Sequence, residues 1–507
     1  MPTDAGPVRG TVTGEYRLFQ GIPYAASTAG ERRWRPPQPV APWTEPRDAT
    51  RPCAICPQQP SSYAEVASLD EDCLLLNLTT PRSATPAEPR PVMVWIHGDG
   101  AIGGGRFFDA RPLAVAGDVV VVTINYRLGI FGAFGHPGLE GSGTFGLQDQ
   151  QAALRWVRRN AAAFGGDPGN VTVFGESYGG LSVSAHLISP GSRGLFDRAI
   201  VQSGFALMDL PAEAMFPGLP AVPWYGWRPT AEVEALGASV ASRLGCTDPA
   251  TALACLRRLP VEELLANAQP FQPYAFGNPV LPEDPGTAFR EGRFARVPVL
   301  AGGTRDEHRL FVGLFRVLAG QPVTADQYPG LLAEAFGDHA ATVQARYPLS
   351  AYPSPAVAWA TVLTDRMWAR STFALHRLLA EHVPTFAYEF ADRQAPMYLP
   401  FPPDLPPGAF HSAEVPYLFP DDKFLTAATP AQRRLSDRLQ QSWASFARSG
   451  DPTGPGLPAW PRFDGAQPVP YVQSLAPGDD GVRAVDYAAE HQLGFWEAAE
   501  ASSPGRR

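Results

Sequence analysis

Gly175-Glu176-Ser177-Tyr178-Gly179-Gly180 follows the apolar, β-branched run Asn170-Val171-Thr172-Val173-Phe174 and precedes an apolar stretch at 181–188. The run before it reads as a buried strand and the stretch after it as an amphipathic helix. A serine with glycines two residues to either side, on a tight strand-to-helix turn, is lifted clear of the sheet. Side chains larger than glycine would clash in so sharp a turn. The following helix aims its unbonded N–H groups and its positive end at the hydroxyl. By itself the pattern also occurs in glycine-rich loops. Its setting between strand and helix makes Ser177 a candidate nucleophile.

Working outward, 91–97 (PVMVWIH) and 119–125 (VVVVTIN) are continuous apolar runs. Such runs suit strands buried on both faces of a parallel sheet. Further strands are expected at 199–202, 297–302 and 385–390. Residues 148–163 carry Ala152, Leu154, Trp156 and Val157 at helical spacing. Strands alternating with helices predict an α/β fold with a mostly parallel, doubly wound sheet. The first 90 residues read as an edge hairpin followed by long loops. The stretch 216–274, with Trp224, Tyr225 and Trp227 close together, breaks the rhythm and reads as an insertion. A long amphipathic helix at 431–449 ends at the stop signal Gly450-Asp451-Pro452. With no internal repeat, the chain reads as a single domain over 1–500 and a frayed tail at 501–507.

The 507 residues are 45% hydrophobic and 18% charged, enough for a sizeable core. A net charge of −9 without basic runs argues against a nucleic-acid partner. No stretch approaches the roughly 18 to 20 apolar residues of a membrane span. Met1-Pro2-Thr3-Asp4-Ala5-Gly6-Pro7 has neither a basic nor an apolar region, so it does not read as a signal peptide. A cytoplasmic protein is expected as written, and a secreted one if the chain is a mature form. The expected assembly is a monomer or a weak homo-oligomer. Five cysteines are present: Cys53, Cys56, Cys73, Cys246 and Cys255. The single C-x-x-C at Cys53 and Cys56 lacks a second pair for zinc, and Pro57 spoils a redox helix start. Two short loops, Cys56 to Cys73 and Cys246 to Cys255, can be closed by disulfides worth about 3 kcal/mol each. The missing leader argues for reduced thiols, and both redox states stay open.

A serine nucleophile needs a base, and the base an orienting acid. With the chain order Ser, acid, His, His411 is the best-placed base, in a loop after the strand at 385–390. His186, His376 and His382 fall in helix-like stretches and read as structural. The acid should follow the strand at 297–302, where Asp306 and Glu307 are equally placed.

Several further stretches carry a specific resemblance. They are Phe19-Gln20-Gly21-Ile22-Pro23-Tyr24-Ala25, Glu71-Asp72-Cys73-Leu74, Val94-Trp95-Ile96-His97-Gly98, Asn125-Tyr126-Arg127-Leu128-Gly129, Phe164-Gly165-Gly166-Asp167-Pro168 and Gln202-Ser203-Gly204. With the serine motif, they make the chain resemble the type-B carboxylesterases, the cholinesterase-like family of α/β-hydrolases. The resemblance spans about residues 5 to 500. It implies that Glu307 is the acid, in Asp306-Glu307-His308, where histidine replaces the family's glycine. It places His411 in the family's H-x-x-E segment, implies disulfides Cys56–Cys73 and Cys246–Cys255, and sets Glu176 and Ser203 around the triad.

The resemblance also implies oxyanion donors at the backbone N–H groups of Asp99, Gly100 and Tyr178. Here the chain departs from the family, reading His97-Gly98-Asp99-Gly100-Ala101 in place of a glycine run. The reading preferred is that Asp99 turns its side chain away and lends only its N–H. The alternative is a carboxylate facing the pocket that slows acylation or retunes the substrate. Tyr178 replaces a common alanine and is expected to narrow one side of the pocket. Phe107, Phe311, Phe315 and Phe410 are read singly as core, and together as the lining of an apolar gorge. No P-loop, dinucleotide fingerprint or zinc motif is present, so no cofactor and no metal are expected. The sequons at Asn77 and Asn170 lie in strand-like runs and are read as chance. The function expected is hydrolysis of small-molecule carboxylic esters through an acyl-enzyme. The alternatives are a specialised ester, carbamate or lactone tuned by Asp99, and a catalytically inactive cholinesterase-like binding protein.

Overall fold

The computed structural model describes residues 1–60, 66–268 and 270–501. The tail expected at 501–507 lies, from residue 502 onward, outside the described residues. Eleven strands form one sheet: β1 (Thr11–Val12), β2 (Tyr16–Pro23), β3 (Leu75–Pro81), β4 (Arg90–Ile96), β5 (Val120–Ile124), β6 (Gly166–Glu176), β7 (Arg198–Gln202), β8 (Val299–Thr304), β9 (Thr385–Phe390), β10 (Val472–Leu475) and β11 (Val482–Val485). Their spatial order is β11-β10-β9-β8-β7-β6-β4-β5-β3-β2-β1. The seven strands from β10 to β5 run parallel, and antiparallel pairs close both edges.

The central runs alternate between two cores. Val92, Val94 and Ile96 of β4 face one cluster, and Met93 and Trp95 face the other. In β6, Val171 and Val173 take the first side and Phe174 the second. Both faces are therefore covered, which is why these strands read as continuous apolar runs. On the first face lie Leu154, Trp156 and Val157 of helix α1 (Phe145–Asn160) and Leu181 and Val183 of helix α2 (Tyr178–Ile188). On the second lie Leu435, Leu439 and Trp443 of α3 (Pro430–Ser449). Local chemistry sets the limits of α3. Thr429 and Gln432 form a reciprocal capping box ahead of Pro430, and Gly450 closes the helix at φ 78°.

The insertion at 216–274 stays out of the main sheet; its strands Trp227–Pro229 and Tyr274–Phe276 pair only with each other. Three strands lay beyond the expected pattern. β3 joins the sheet between β2 and β5 within a stretch read as hairpin and loops, and β10 and β11 extend the far edge. All are short or rich in polar residues, and their pairing rather than their pattern defines them. Cys56–Cys73 and Cys246–Cys255 are disulfide-bonded, and Cys53 is free and buried. Asn77 is buried in β3 with its amide on Thr123 Oγ1. No helix among the described residues is long and apolar enough to cross a membrane.

Candidate active site

The strand register brings five loops to one edge. Ile96 lies beside Gly175, Gly175 beside Val201, and Gln202 beside Gly302, so β4, β6, β7 and β8 end level. The carboxyl edge of a parallel sheet is where ligands bind in open α/β folds. Asp99 and Gly100 follow β4, Ser177 follows β6, Ser203 follows β7, Glu307 follows β8, and His411 lies in the loop beyond β9.

Ser177 sits at φ 60°, ψ −121°, a strained setting for a residue with a side chain. The turn that holds it there needs its glycines. A Cβ on Gly175 would come within 2.6 Å of Ile96 O, and one on Gly179 within 2.0 Å of the same atom. The first turn of α2 thus lies directly against β4. As first residue of that helix, Tyr178 has no acceptor within the helix for its N–H.

His411 Nε2 lies 2.8 Å from Ser177 Oγ, and its Nδ1 lies 2.5 Å from Glu307 Oε2. Glu307 Oε1 accepts from Thr304 N at 2.9 Å, which holds the carboxylate in place. Position in the chain left Asp306 and Glu307 equal; they face opposite ways. Asp306 pairs with Arg309 at 2.8 Å and Arg393 at 2.9 Å and accepts from Ala409 N at 3.0 Å, pinning the loop that carries His411. Glu176 Oε1 accepts from Ser412 Oγ at 2.6 Å and lies 3.2 Å from His411 Nε2. Ser203 lies near Glu307 across Gly303, but its buried Oγ makes no hydrogen bond among the described residues.

Burial disfavours an imidazolium at His411, but the charges of Glu176 and Glu307 and the Nδ1 hydrogen bond outweigh it. Together they lift its pKa to about 9. Burial pushes Glu176 upward to about 6. It also pushes up Glu414, which Glu176 and Glu307 crowd further.

The loop after β4 carries the departure from the family's glycine run. Asp99 is half-buried, contributes to the cavity wall, and has φ 71°. Its Oδ1 accepts from the N–H groups of Ala101 and Ile102, each at 3.0 Å, so the carboxylate closes its own turn. Burial raises its pKa to about 6. The Gly100 N–H donates to Gly98 O at 3.0 Å. Gly100 has φ 83°, and the Tyr178 ring rests on it: a Cβ there would meet three ring atoms within 2.9 Å. The Tyr178 hydroxyl donates to Gln272 O at 2.8 Å, so the ring is fixed as one wall.

A cavity of about 580 Å³ opens above Ser177, a size that suits a drug-like small molecule. Phe107, Phe311, Phe315 and Phe410 all contribute to its wall, and Phe410, buried in the second core cluster, serves both roles. Phe107 is 41% exposed, which core packing would not allow. Trp368, unmarked by any sequence signal, stands 4.8 Å from the His411 ring. It belongs to a wide π-helical turn at Thr364–Ala369, and Phe315 to another at Gly313–Val317; such turns cluster at functional sites. His308, which replaces the family's glycine, accepts from Trp368 Nε1 at Nδ1 (3.2 Å) and holds Ala214 O through Nε2 (2.9 Å). Burial keeps it neutral, with a pKa of about 4. It thereby ties the indole to the 205–224 side of the cavity. Among the described residues, no three His, Cys, Asp or Glu side chains are grouped to hold a metal ion.

The family model described as Carboxylesterase family matches residues 1–496. The chain is 35% identical to the cocaine esterase of Oryctolagus cuniculus, covering 91% of each sequence. It is 33% identical to the para-nitrobenzyl esterase of Bacillus subtilis, over 91% of this chain and 92% of that one. A solved PNB esterase superposes with a TM-score of 0.78 at 30% identity, covering 98% of this chain and 99% of the other.

Proposed function

Since the chain belongs to the carboxylesterase family, type B, and is a carboxylic ester hydrolase with an α/β-hydrolase fold, we propose that it works through an acyl-enzyme on Ser177. His411 takes the Ser177 proton as Oγ attacks the ester carbonyl, and returns it to the leaving alcohol. Glu307 holds Nδ1–H, fixes the ring, and stabilises the imidazolium. Water then attacks the acyl-enzyme by the same route, releasing the acid and restoring Ser177. The observation that carries this reading is the unbroken pair of hydrogen bonds from Ser177 through His411 to Glu307.

The oxyanion is held by the N–H groups of Tyr178, Asp99 and Gly100. Each such donor is worth about 10²- to 10³-fold in rate. Gly100 contributes once its N–H leaves Gly98 O. Glu176 and Ser412 support the histidine loop, and Ser203 fills space beside Glu307. The largely apolar wall of the cavity favours esters with hydrophobic acyl or alcohol chains.

Hydrolysis of p-nitrophenyl esters from acetate to octanoate by wild type and Ser177→Ala tests the assignment. The variant is expected to lose about 10⁴- to 10⁶-fold in kcat, and a phosphonate probe to label Ser177 in wild type alone. A Ser177→Ala protein that still hydrolyses esters at the wild-type rate would overturn it.

A further inference from the structure

Arg228 is the only lysine or arginine in the wall of the cavity above Ser177 among the described residues. It is half-buried. No described carboxylate, carbonyl, hydroxyl or aromatic face takes up its guanidinium. Other sheltered arginines behave differently. Arg33 binds Glu71 at 2.5 Å, Arg127 binds Asp149 at 2.7 Å, and Arg316 binds Glu213 at 2.8 Å. A guanidinium removed from part of its water and given no counter-charge is costly, and buried charges are ordinarily paired.

Its backbone is fixed on both sides. Trp227 is 1% exposed and donates from Nε1 to Ala206 O at 2.8 Å. Arg228 itself pairs with Ala275 in the two-stranded ribbon. Pro229, on the other side, pairs with Phe276 in the same ribbon, and two positions before Arg228, Gly226 is packed so closely that a Cβ would meet Leu181 at 2.7 Å. The arm therefore springs from a rigid wall, which suits a planar fork that binds carboxylate at two points. Phe205, Leu210, Trp224 and Tyr225 line the same cavity, and a largely apolar wall strengthens an ion pair formed within it. The other charged groups that face the same cavity are the carboxylates of Asp99 and Glu176 and the His411 imidazole at Ser177. With a net charge of −9 on the chain, a carboxylate remote from Ser177 finds no other lysine or arginine in the wall to offset repulsion.

From this we propose that Arg228 is a specificity-determining residue for esters that carry a carboxylate remote from the scissile bond, such as hemiesters of dicarboxylic acids. The inference rests on the esterase reading of Ser177 and names a substrate class within it. The carboxylate docks on Arg228 while the ester carbonyl reaches Ser177. Water adds to the acyl group, methanol leaves, and the products are the dicarboxylate, the alcohol and one proton.

The test is titrimetric. Monomethyl adipate, pimelate and suberate are compared with their dimethyl diesters on wild type, Arg228→Met and Arg228→Lys. The diester lacks the charge and serves as the internal reference for each enzyme. At the best chain length, the hemiester-to-diester ratio of kcat/KM is expected to fall about 10-fold or more in Arg228→Met. The loss should lie mainly in KM, with partial recovery in Arg228→Lys. In wild type the same ratio should fall as salt is raised. An equal ratio in wild type and Arg228→Met at every chain length overturns the inference and leaves the esterase reading intact. Diesters left untouched by wild type would overturn the esterase reading and this inference with it.

Discussion

His411 and His491 are both buried imidazoles, 3% and 4% exposed, and each lies between two carboxylates. At both, burial opposes the charged form and the carboxylates overcome it, lifting the pKa to about 9 and about 10. They differ in what the second nitrogen meets. His491 gives Nδ1 to Asp365 and Nε2 to Glu389, each at 2.6 Å. Tyr347 donates to Asp365, and Arg305 pairs with Glu389. That cluster docks the C-terminal helix (Leu493–Ala501) through Trp496, whose Nε1 donates to the Tyr347 hydroxyl. His411 commits Nδ1 to Glu307 and turns Nε2 to a serine hydroxyl on a cavity floor. A shifted pKa alone does not separate a structural imidazole from a reactive one; an uncommitted partner atom open to a cavity does.

The sharpest break of this comparison is a pair of parallel substitutions. His411→Gln should lower kcat about 10⁴-fold or more in the folded enzyme as well as lowering the urea midpoint. His491→Gln should lower the urea midpoint alone. It removes the cation that two buried carboxylates share, leaving Asp365 with Tyr347 and Glu389 with Arg305, at a cost of about 3 kcal/mol or more, while kcat of the folded enzyme stays near wild type. A His491 variant that keeps its midpoint and loses its rate would erase the distinction.

The two histidines also diverge with pH. The base must be neutral to accept the Ser177 proton, so kcat/KM should rise with pH, with a midpoint above 6.5 and toward about 9. A profile already flat at pH 6.5 would place the carboxylates' influence elsewhere. Stability follows the opposite direction. Both folded pKa values exceed the unfolded 6.5, so the stabilisation is complete below pH 6.5 and is lost as pH rises through about 9 and about 10. Urea midpoints should fall over that interval, and more gently in His491→Gln, which has lost one of the two contributors.

The smallest effect expected is at Asp99. No N–H donor is lost in Asp99→Gly, so the change in kcat should stay well below the about 10²-fold cost of losing one. Any gain should fade below a pH of about 6, where Asp99 is protonated. Equal rates for the two proteins at every pH would mean that the Asp99 charge does not reach the reacting oxygen.

Much of this was readable from the chain. The strand, G-x-S-x-G and helix order marks a turn that only glycine can flank, and the contacts of Gly175 and Gly179 with Ile96 O are the steric cause. The continuous runs in β4 and β5 report burial on two faces. Both disulfides follow the pairing implied by the resemblance. Strand β3 was harder to read, because part of its ladder is built by distant partners in β2 and β5.

By itself the sequence determined the α/β class, the nucleophile's turn and the family, because local sterics and period-two burial are written in neighbouring residues. Chain position left Asp306 and Glu307 equal and the resemblance favoured Glu307; only the tertiary structure shows which partner each one meets. Two adjacent residues on one turn point opposite ways, and Arg393 and His411, which meet them, lie 87 and 104 positions on. It also placed Trp368 and Arg228 on the cavity wall. Such positions arise where segments far apart in the chain converge, and no spacing within either segment records that meeting.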